Sequence, residues 1–190
     1  MVEYTLQLEP FLGGYAQQFE HVSLNEVDTM ALISLALPNG QDGTAVVQTL
    51  ETSDVPNVGA SCPCLNGSGT LMRMAQDQFL LCVEDVANSF EMNKDLEQKL
   101  AGIAYTTDQT HVWVALDIGG PATLTALERI CPVDLDISAF DIGAVARTSM
   151  EHLGVIITRI TETNFRLFSA SSSAGSFLHA LETSIENITT

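Results

Sequence analysis

Cys62-Pro63-Cys64 puts two thiols at i and i+2, on one face of a strand, where thiolates can hold a soft metal. A zinc site needs four ligands. No second Cys/His pair at metal spacing is offered by Cys82, Cys131, His21, His111, His152 or His179. Strand neighbours are also strained disulfide partners, so ordinary buried or edge thiols are expected. Glu151-His152 joins an acid to an imidazole, but successive residues of a strand point to opposite faces. His152 is therefore expected as a strand-end or interface residue, not half of a dyad. Ser169, Ser171, Ser172 and Ser173 lack a G-x-S-x-G elbow. Helix capping accounts for them, with anion binding at that helix start as the other use. Asp134, Asp136 and Asp141 lack the spacing of a calcium loop and read as a solvated loop. Neither G-x-G-x-x-G nor G-x-x-x-x-G-K-[ST] occurs. No catalytic, cofactor-binding or metal-binding residue is assigned.

Arg147 is different. It is one of seven Lys and Arg residues in the chain and sits in the neutral run Ala144-Val145-Ala146-Arg147-Thr148. Such an arginine usually has a fixed partner, an acid or a carbonyl, either internal or on another subunit. Arg147 and His152 are the interface candidates.

The elements that would position these residues recur. ALISLALPNGQDGTAVVQTL and VWVALDIGGPATLTALERI each read as strand, glycine-bearing turn and short helix. Farther on, Gly59-Ala60 lines up with Gly143-Ala144, Met72-Arg73-Met74 lies near Ile157-Thr158-Arg159, and Phe79 lines up with Phe165. Phe90 falls on Phe177 with a slip of one. Val112, Val114, Leu116 and Ile118 alternate as a strand requires, with Trp113 and Ala115 on the other face. Leu153 to Ile160 is a β-branched run. Asn66-Gly67-Ser68-Gly69 is a turn. Val83, Val86, Ala87 and Phe90 have helical spacing, as do Ala174, Phe177, Leu178, Leu181 and Ile185. Pro121 suits a first helical turn. The fold class is α+β, with two β-α-β-β-β-α units in one domain. Residues 1–27 form an arm or edge strand, 28–100 the first unit and 110–188 the second, and 101–109 is a polar link. No functional residue recurs between the units: Arg147 meets Pro63, and His152 meets no histidine. A shared scaffold, rather than a pair of active sites, is expected.

Composition agrees with a scaffold. Only 16% of the 190 residues are charged, and the net charge is -17. That balance disfavours nucleic acid and anionic membranes. The sparse charge leaves neutral surface suited to a protein partner. No basic region followed by an apolar run opens the chain, and the longest apolar stretch, Met30 to Leu37, is interrupted by Ser34. A cytoplasmic location is expected.

Four runs carry a resemblance: 104–114 (AYTTDQTHVWV), 119–136 from Gly119-Gly120-Pro121 to Asp136, 143–152 (GAVARTSMEH) and 171–181 (SSSAGSFLHAL). Together they resemble the gamma subunit of heterotetrameric sarcosine oxidase. Leu24 to Val27 and Gln76 to Phe79 match more loosely, and Ser171 and Gly175 stand where arginine is expected. The resemblance implies a fold similar to the folate-binding domain of aminomethyltransferase. It implies a structural subunit of a complex that demethylates sarcosine to glycine and passes the one-carbon unit to tetrahydrofolate. FAD, FMN, NAD and tetrahydrofolate would be carried by the other subunits and none by this chain. Its partners would be the alpha, beta and delta subunits, with docking on alpha. Whether the chain belongs to an enzyme in its own right stays open. The alternatives are a stand-alone folate or one-carbon module and a gamma-type subunit for another N-methylated amino acid.

Overall fold

A computed structural model describes residues 9–38 and 40–188; the first eight residues of the expected arm lie outside them. In chain order the elements are β1 (Ala16–Gln18), β2 (Ser23–Glu26), β3 (Ala31–Ala36), α1 (Thr44–Thr49), β4 (Ser61–Cys64), β5 (Gly69–Ala75), β6 (Gln78–Val83) and α2 (Ser89–Lys99). Then follow β7 (Tyr105–Asp108), β8 (Trp113–Gly119), α3 (Thr123–Glu128), β9 (Val145–Met150), β10 (Leu153–Arg159), β11 (Asn164–Ala170) and α4 (Ala174–Glu186). The order β-α-β-β-β-α thus appears twice, once from β3 to α2 and again from β8 to α4.

Each run builds its own antiparallel sheet, ordered β4-β5-β6-β3-β7 and β9-β10-β11-β8-β2-β1. The last strands are exchanged. β2 precedes β3 in the chain yet pairs with β8, Leu24 opposite Ile118. β7 precedes β8 yet pairs with β3, Thr107 opposite Ser34. The link read as polar therefore contains a strand. Tyr105-Thr106-Thr107-Asp108 has little apolar alternation because it is an edge, paired on one side only.

Alternation along the strands sets four layers. Val114, Leu116 and Ile118 of β8 join Phe165 and Leu167 of β11 under Ala126 and Leu127 of α3 and Phe177 and Leu181 of α4. Ile33 and Leu35 of β3 pack similarly under Val46, Val47 and Leu96. The opposite strand faces meet each other: Leu32, Met72, Leu80 and Cys82 against Ala115, Val145, Ile156 and Phe168. Helices cover the two outer faces, and the sheets pack face to face. Burying Phe168 in that middle layer contributes roughly 1.5–3 kcal/mol.

Helix α4 follows the predicted spacing, with Ala174, Phe177, Leu181 and Ile185 buried. The earlier helix is shifted from its predicted place. Val83 ends β6, Val86–Asn88 is a 3-10 turn, and Phe90 is 69% exposed. Met92, Leu96 and Leu100 take the places of Phe177, Leu181 and Ile185 at the same steps from the first helical residue. A short apolar run at the end of a strand mimicked the helical period. Gly120 joins the two edges of the β2–β8 corner at φ +128°, and a Cβ there would lie 2.4 Å from the His21 carbonyl oxygen. Among the described residues no helix is long and apolar enough to cross a membrane.

Candidate functional site

The two halves meet at matched tight turns. In Asn57-Val58-Gly59-Ala60 the Ala60 N–H donates to Asn57 O at 3.0 Å, and in Asp141-Ile142-Gly143-Ala144 the Ala144 N–H donates to Asp141 O at 3.0 Å. The third residue of each turn is glycine, at φ +83° and +85°, which a type II turn favours. Each glycine also opens a bulge against the neighbouring strand. Gly59 N–H donates to Arg73 O while Arg73 N–H donates to Ala60 O, and Gly143 and Ala144 do the same with Arg159. The turns then bind each other: Val145 N–H donates to Gly59 O at 2.7 Å and Ser61 N–H to Gly143 O at 2.8 Å. Ala60 and Ala144 form the bridge between the sheets.

The arginines opposite these bulges do equivalent work. The guanidinium of Arg73 lies 5.3 Å from the Phe79 ring centre and that of Arg159 4.5 Å from that of Phe165. Arg73 donates to the carbonyls of Pro56 (3.1 Å) and Gln76 (2.8 Å). Arg159 donates to those of Glu162 (2.6 Å) and Leu135. Each staples the loop before an edge strand to the hairpin beyond it, across an aromatic ring. The recurrence between the halves thus extends beyond the apolar period to a structural pair, Arg73 and Arg159. The signal was present in the alignment of Arg73 near Arg159 and Phe79 with Phe165. The arginines are offset from the turns by different counts because β4 is shorter than β9.

A third arginine lies between the sheets. Arg166 on β11 makes a bidentate pair with Asp117 on β8, 2.7 and 2.8 Å. Burial acts to lower its pKa, and the Asp117 contact outweighs this and holds it above the ordinary value.

The expected site residues are dispersed. Arg147 lies on β9, the outer strand of its sheet, and is exposed; among the described residues no acid or carbonyl meets its guanidinium. Glu151 and His152 do not alternate along a strand. They form the tight β9–β10 turn, at φ +46° and +68°. Beside them a hollow of about 370 Å³ is lined by Arg129, Glu151, Ser176, His179, Thr183 and Asn187.

The four cysteines are free thiols. Cys64 packs in the first-half core, and burial pushes it, like Cys82, up to about 12. Such thiols are neutral and poorly nucleophilic. Asp134 accepts from Asp136 N–H, and Asp136 from Ser138 N–H and Oγ, so these carboxylates shape their own loop. The serines do not cap α4 with their side chains. Ser171–Ser173 is a 3-10 turn, and Ser171 Oγ donates to the His111 carbonyl.

A second hollow, about 240 Å³, opens between the sheets at the β2–β3 end, lined by Phe11, Met30, Trp113, Glu26 and Asp28 among others. The Glu26 carboxylate there already accepts the N–H groups of Leu12, Gly14 and Tyr15.

The layered architecture and its halves match known proteins. The chain is 25% identical over 166 residues to the sarcosine oxidase subunit gamma of Corynebacterium sp. (strain U-96), covering 84% of this chain and 77% of that protein. A chain of the heterotetrameric sarcosine oxidase from Corynebacterium sp. U-96, solved with pyrrole 2-carboxylate, superposes with a TM-score of 0.78 at 22% identity, over 89% of this chain and 86% of that one. The glycine cleavage system aminomethyltransferase T from Bartonella henselae superposes with a TM-score of 0.65 at 19% identity, over 85% of this chain but 45% of that one. Residues 15–184 match the model of the GCVT N-terminal domain. With most of its length inside that match, and with the two-sheet fold described above, the chain belongs to the GCVT N-terminal domain family.

Proposed function

We propose that this chain is a non-catalytic gamma-type subunit of a multimeric sarcosine oxidase complex, docked on the large alpha subunit, with beta and delta as further partners. The observation that carries this reading is the extent of the match. The chain covers 77% of a gamma subunit but only 45% of the aminomethyltransferase. It thus spans most of a small subunit and less than half of the enzyme. The complex would convert sarcosine to glycine in the cytoplasm, with the one-carbon unit passed to tetrahydrofolate. FAD, FMN, NAD and tetrahydrofolate belong, on this reading, to the other subunits.

The fold family raises tetrahydrofolate as a ligand of this chain, and the hollow beside Trp113 is small for it. The hollow beside Trp113 is about 240 Å³, below the roughly 300–1,000 Å³ of pockets that enclose ligands of that size. Its Glu26 carboxylate is held by three backbone N–H groups, and Asp117 is held by Arg166. Neither acid is free to pair with a pterin edge.

Purified alone, the chain is expected to be colourless and inert toward sarcosine. Robust amine oxidation by the isolated chain would sink the proposal. The family match favours one second reading, a stand-alone folate or one-carbon module. Calorimetry with tetrahydrofolate separates the two: micromolar binding to the isolated chain would favour the module. Genes for alpha, beta and delta partners beside this one would support the subunit, and their products' substrate would decide between sarcosine and another N-methylated amino acid.

A further inference from the structure

We propose that β9 is the docking strand of this subunit: an extended, acidic segment of the large partner adds to its free edge, with a carboxylate on Arg147. This deepens the subunit reading and rests on it.

β9 pairs with β10 on one side and ends the sheet. Its backbone groups alternate between the two sides. Arg159 N–H bonds Ala144 O on the β10 side, whereas Val145 N–H turns the other way, to Gly59 O. Two and four residues on, the N–H and C=O of Arg147 and Ser149 also face outward. Both residues are exposed, and beyond Val145 no strand of the described residues meets that edge. An added strand would find two donors and two acceptors in line.

The other half shows what a closed edge looks like. β4 stands to β5 as β9 stands to β10. Ser61 takes the place of Val145, donating across the joint to Gly143, and Pro63 takes the place of Arg147. Proline has no N–H and blunts an edge. In the second half that position carries a backbone donor and a cation.

Charge selects the occupant. The chain carries -17 with seven Lys and Arg residues, so two copies repel. The β9 edge, however, presents a cation: among the described residues Arg147 has no partner. The hollow beyond the Glu151-His152 turn is of mixed sign, with Arg129 and His179 beside Glu151. An extended segment bearing Asp or Glu complements this edge; a second copy of the chain does not.

The test coexpresses the chain with the alpha, beta and delta subunits of its own host's oxidase. Amide hydrogen exchange is then compared between the complex and the free chain. The Arg147 and Ser149 amides should slow at least a hundredfold on assembly. Arg147→Ala, which keeps the N–H, should weaken assembly about two- to fivefold, as loss of one exposed ion pair does. Arg147→Pro should weaken it more than a hundredfold while folding normally, since Pro63 occupies the matching place. Ser149→Ala keeps the backbone and should assemble like the parent. Unchanged exchange at Arg147 and Ser149 in a formed complex, or normal assembly of Arg147→Pro, overturns the docking strand and leaves the subunit reading standing. Failure of the parent chain to assemble at all overturns both. Protection of these amides in the chain alone, with a doubled mass, assigns the edge to self-association and also overturns the proposal.

Discussion

Replacing Arg159 by alanine should destabilise the chain far more than replacing Arg73, although the two make the same kind of staple. Arg159 is 2% exposed, while Arg73 is only half-buried. Truncating Arg159 strands the buried Leu135 carbonyl, frees that of Glu162 and removes the cation from the Phe165 face. Hydrogen bonds from a charged donor contribute about 1.5–3 kcal/mol each. A desolvated cation–π contact adds about 2 kcal/mol. Release of the buried charge offsets part of this. A net loss of about 4 kcal/mol follows for Arg159→Ala. Arg73 can exchange its carbonyls for water, and about 1 kcal/mol is expected there. With a urea slope of about 2 kcal/mol/M, the unfolding midpoint should fall by about 2 M for Arg159→Ala and about 0.5 M for Arg73→Ala. Arg159→Met, which restores volume but not donors, should recover about half of the larger loss. Equal shifts for the two alanine variants would refute the reasoning, because burial would then not set the value of the staple.

Gly120→Ala should cost at least about 3 kcal/mol, since its Cβ would strike the His21 carbonyl oxygen at positive φ; a fall in Tm of about 6–12 °C is the expected readout. The buried thiols make stability fall at high pH. Cys64 and Cys82 rise from 9.0 to about 12 on folding, so between those values the unfolded chain releases protons that the native chain keeps. Their contribution is fully present below pH 9 and is lost as pH rises toward 12. Urea midpoints at pH 8 and 10.5 test this, and rapid labelling of Cys64 and Cys82 in the native chain at pH 8 would contradict it.

Much of this fold is legible in the sequence because the apolar period is strong where an element buries a whole face. β8, β10 and α4 each follow their expected runs. Legibility fails at a sheet edge and at a strand end. β7 was hidden in a polar link, since an edge strand needs no apolar alternation. Phe90 reads as a helical core position because Val83 and Val86 happen to fall in step with it, although they belong to a strand end and a 3-10 turn. The joint was half visible. Gly59-Ala60 and Gly143-Ala144 were aligned correctly, but which carbonyl each bulge receives depends on contacts between distant segments. The arginine staples followed from that geometry and not from any local motif. Arg147 stands out in the sequence because arginine is scarce, and its place on a sheet edge follows only from the sheet order.

The exchanged strands have a consequence for synthesis. Ser23 on β2 meets Gly119 on β8 across 96 residues of chain. At about 5–20 residues per second on the ribosome, β2 waits roughly 5–20 s before its neighbour emerges. The first half, meanwhile, has α1 and α2 to cover one face of its sheet, but the other face, with Leu32, Met72 and Leu80, lies bare until Phe168 arrives. Neither half can therefore be finished as it leaves the tunnel. The nascent chain must be shielded as a whole, and a cut between the halves would leave two sticky pieces rather than two small domains.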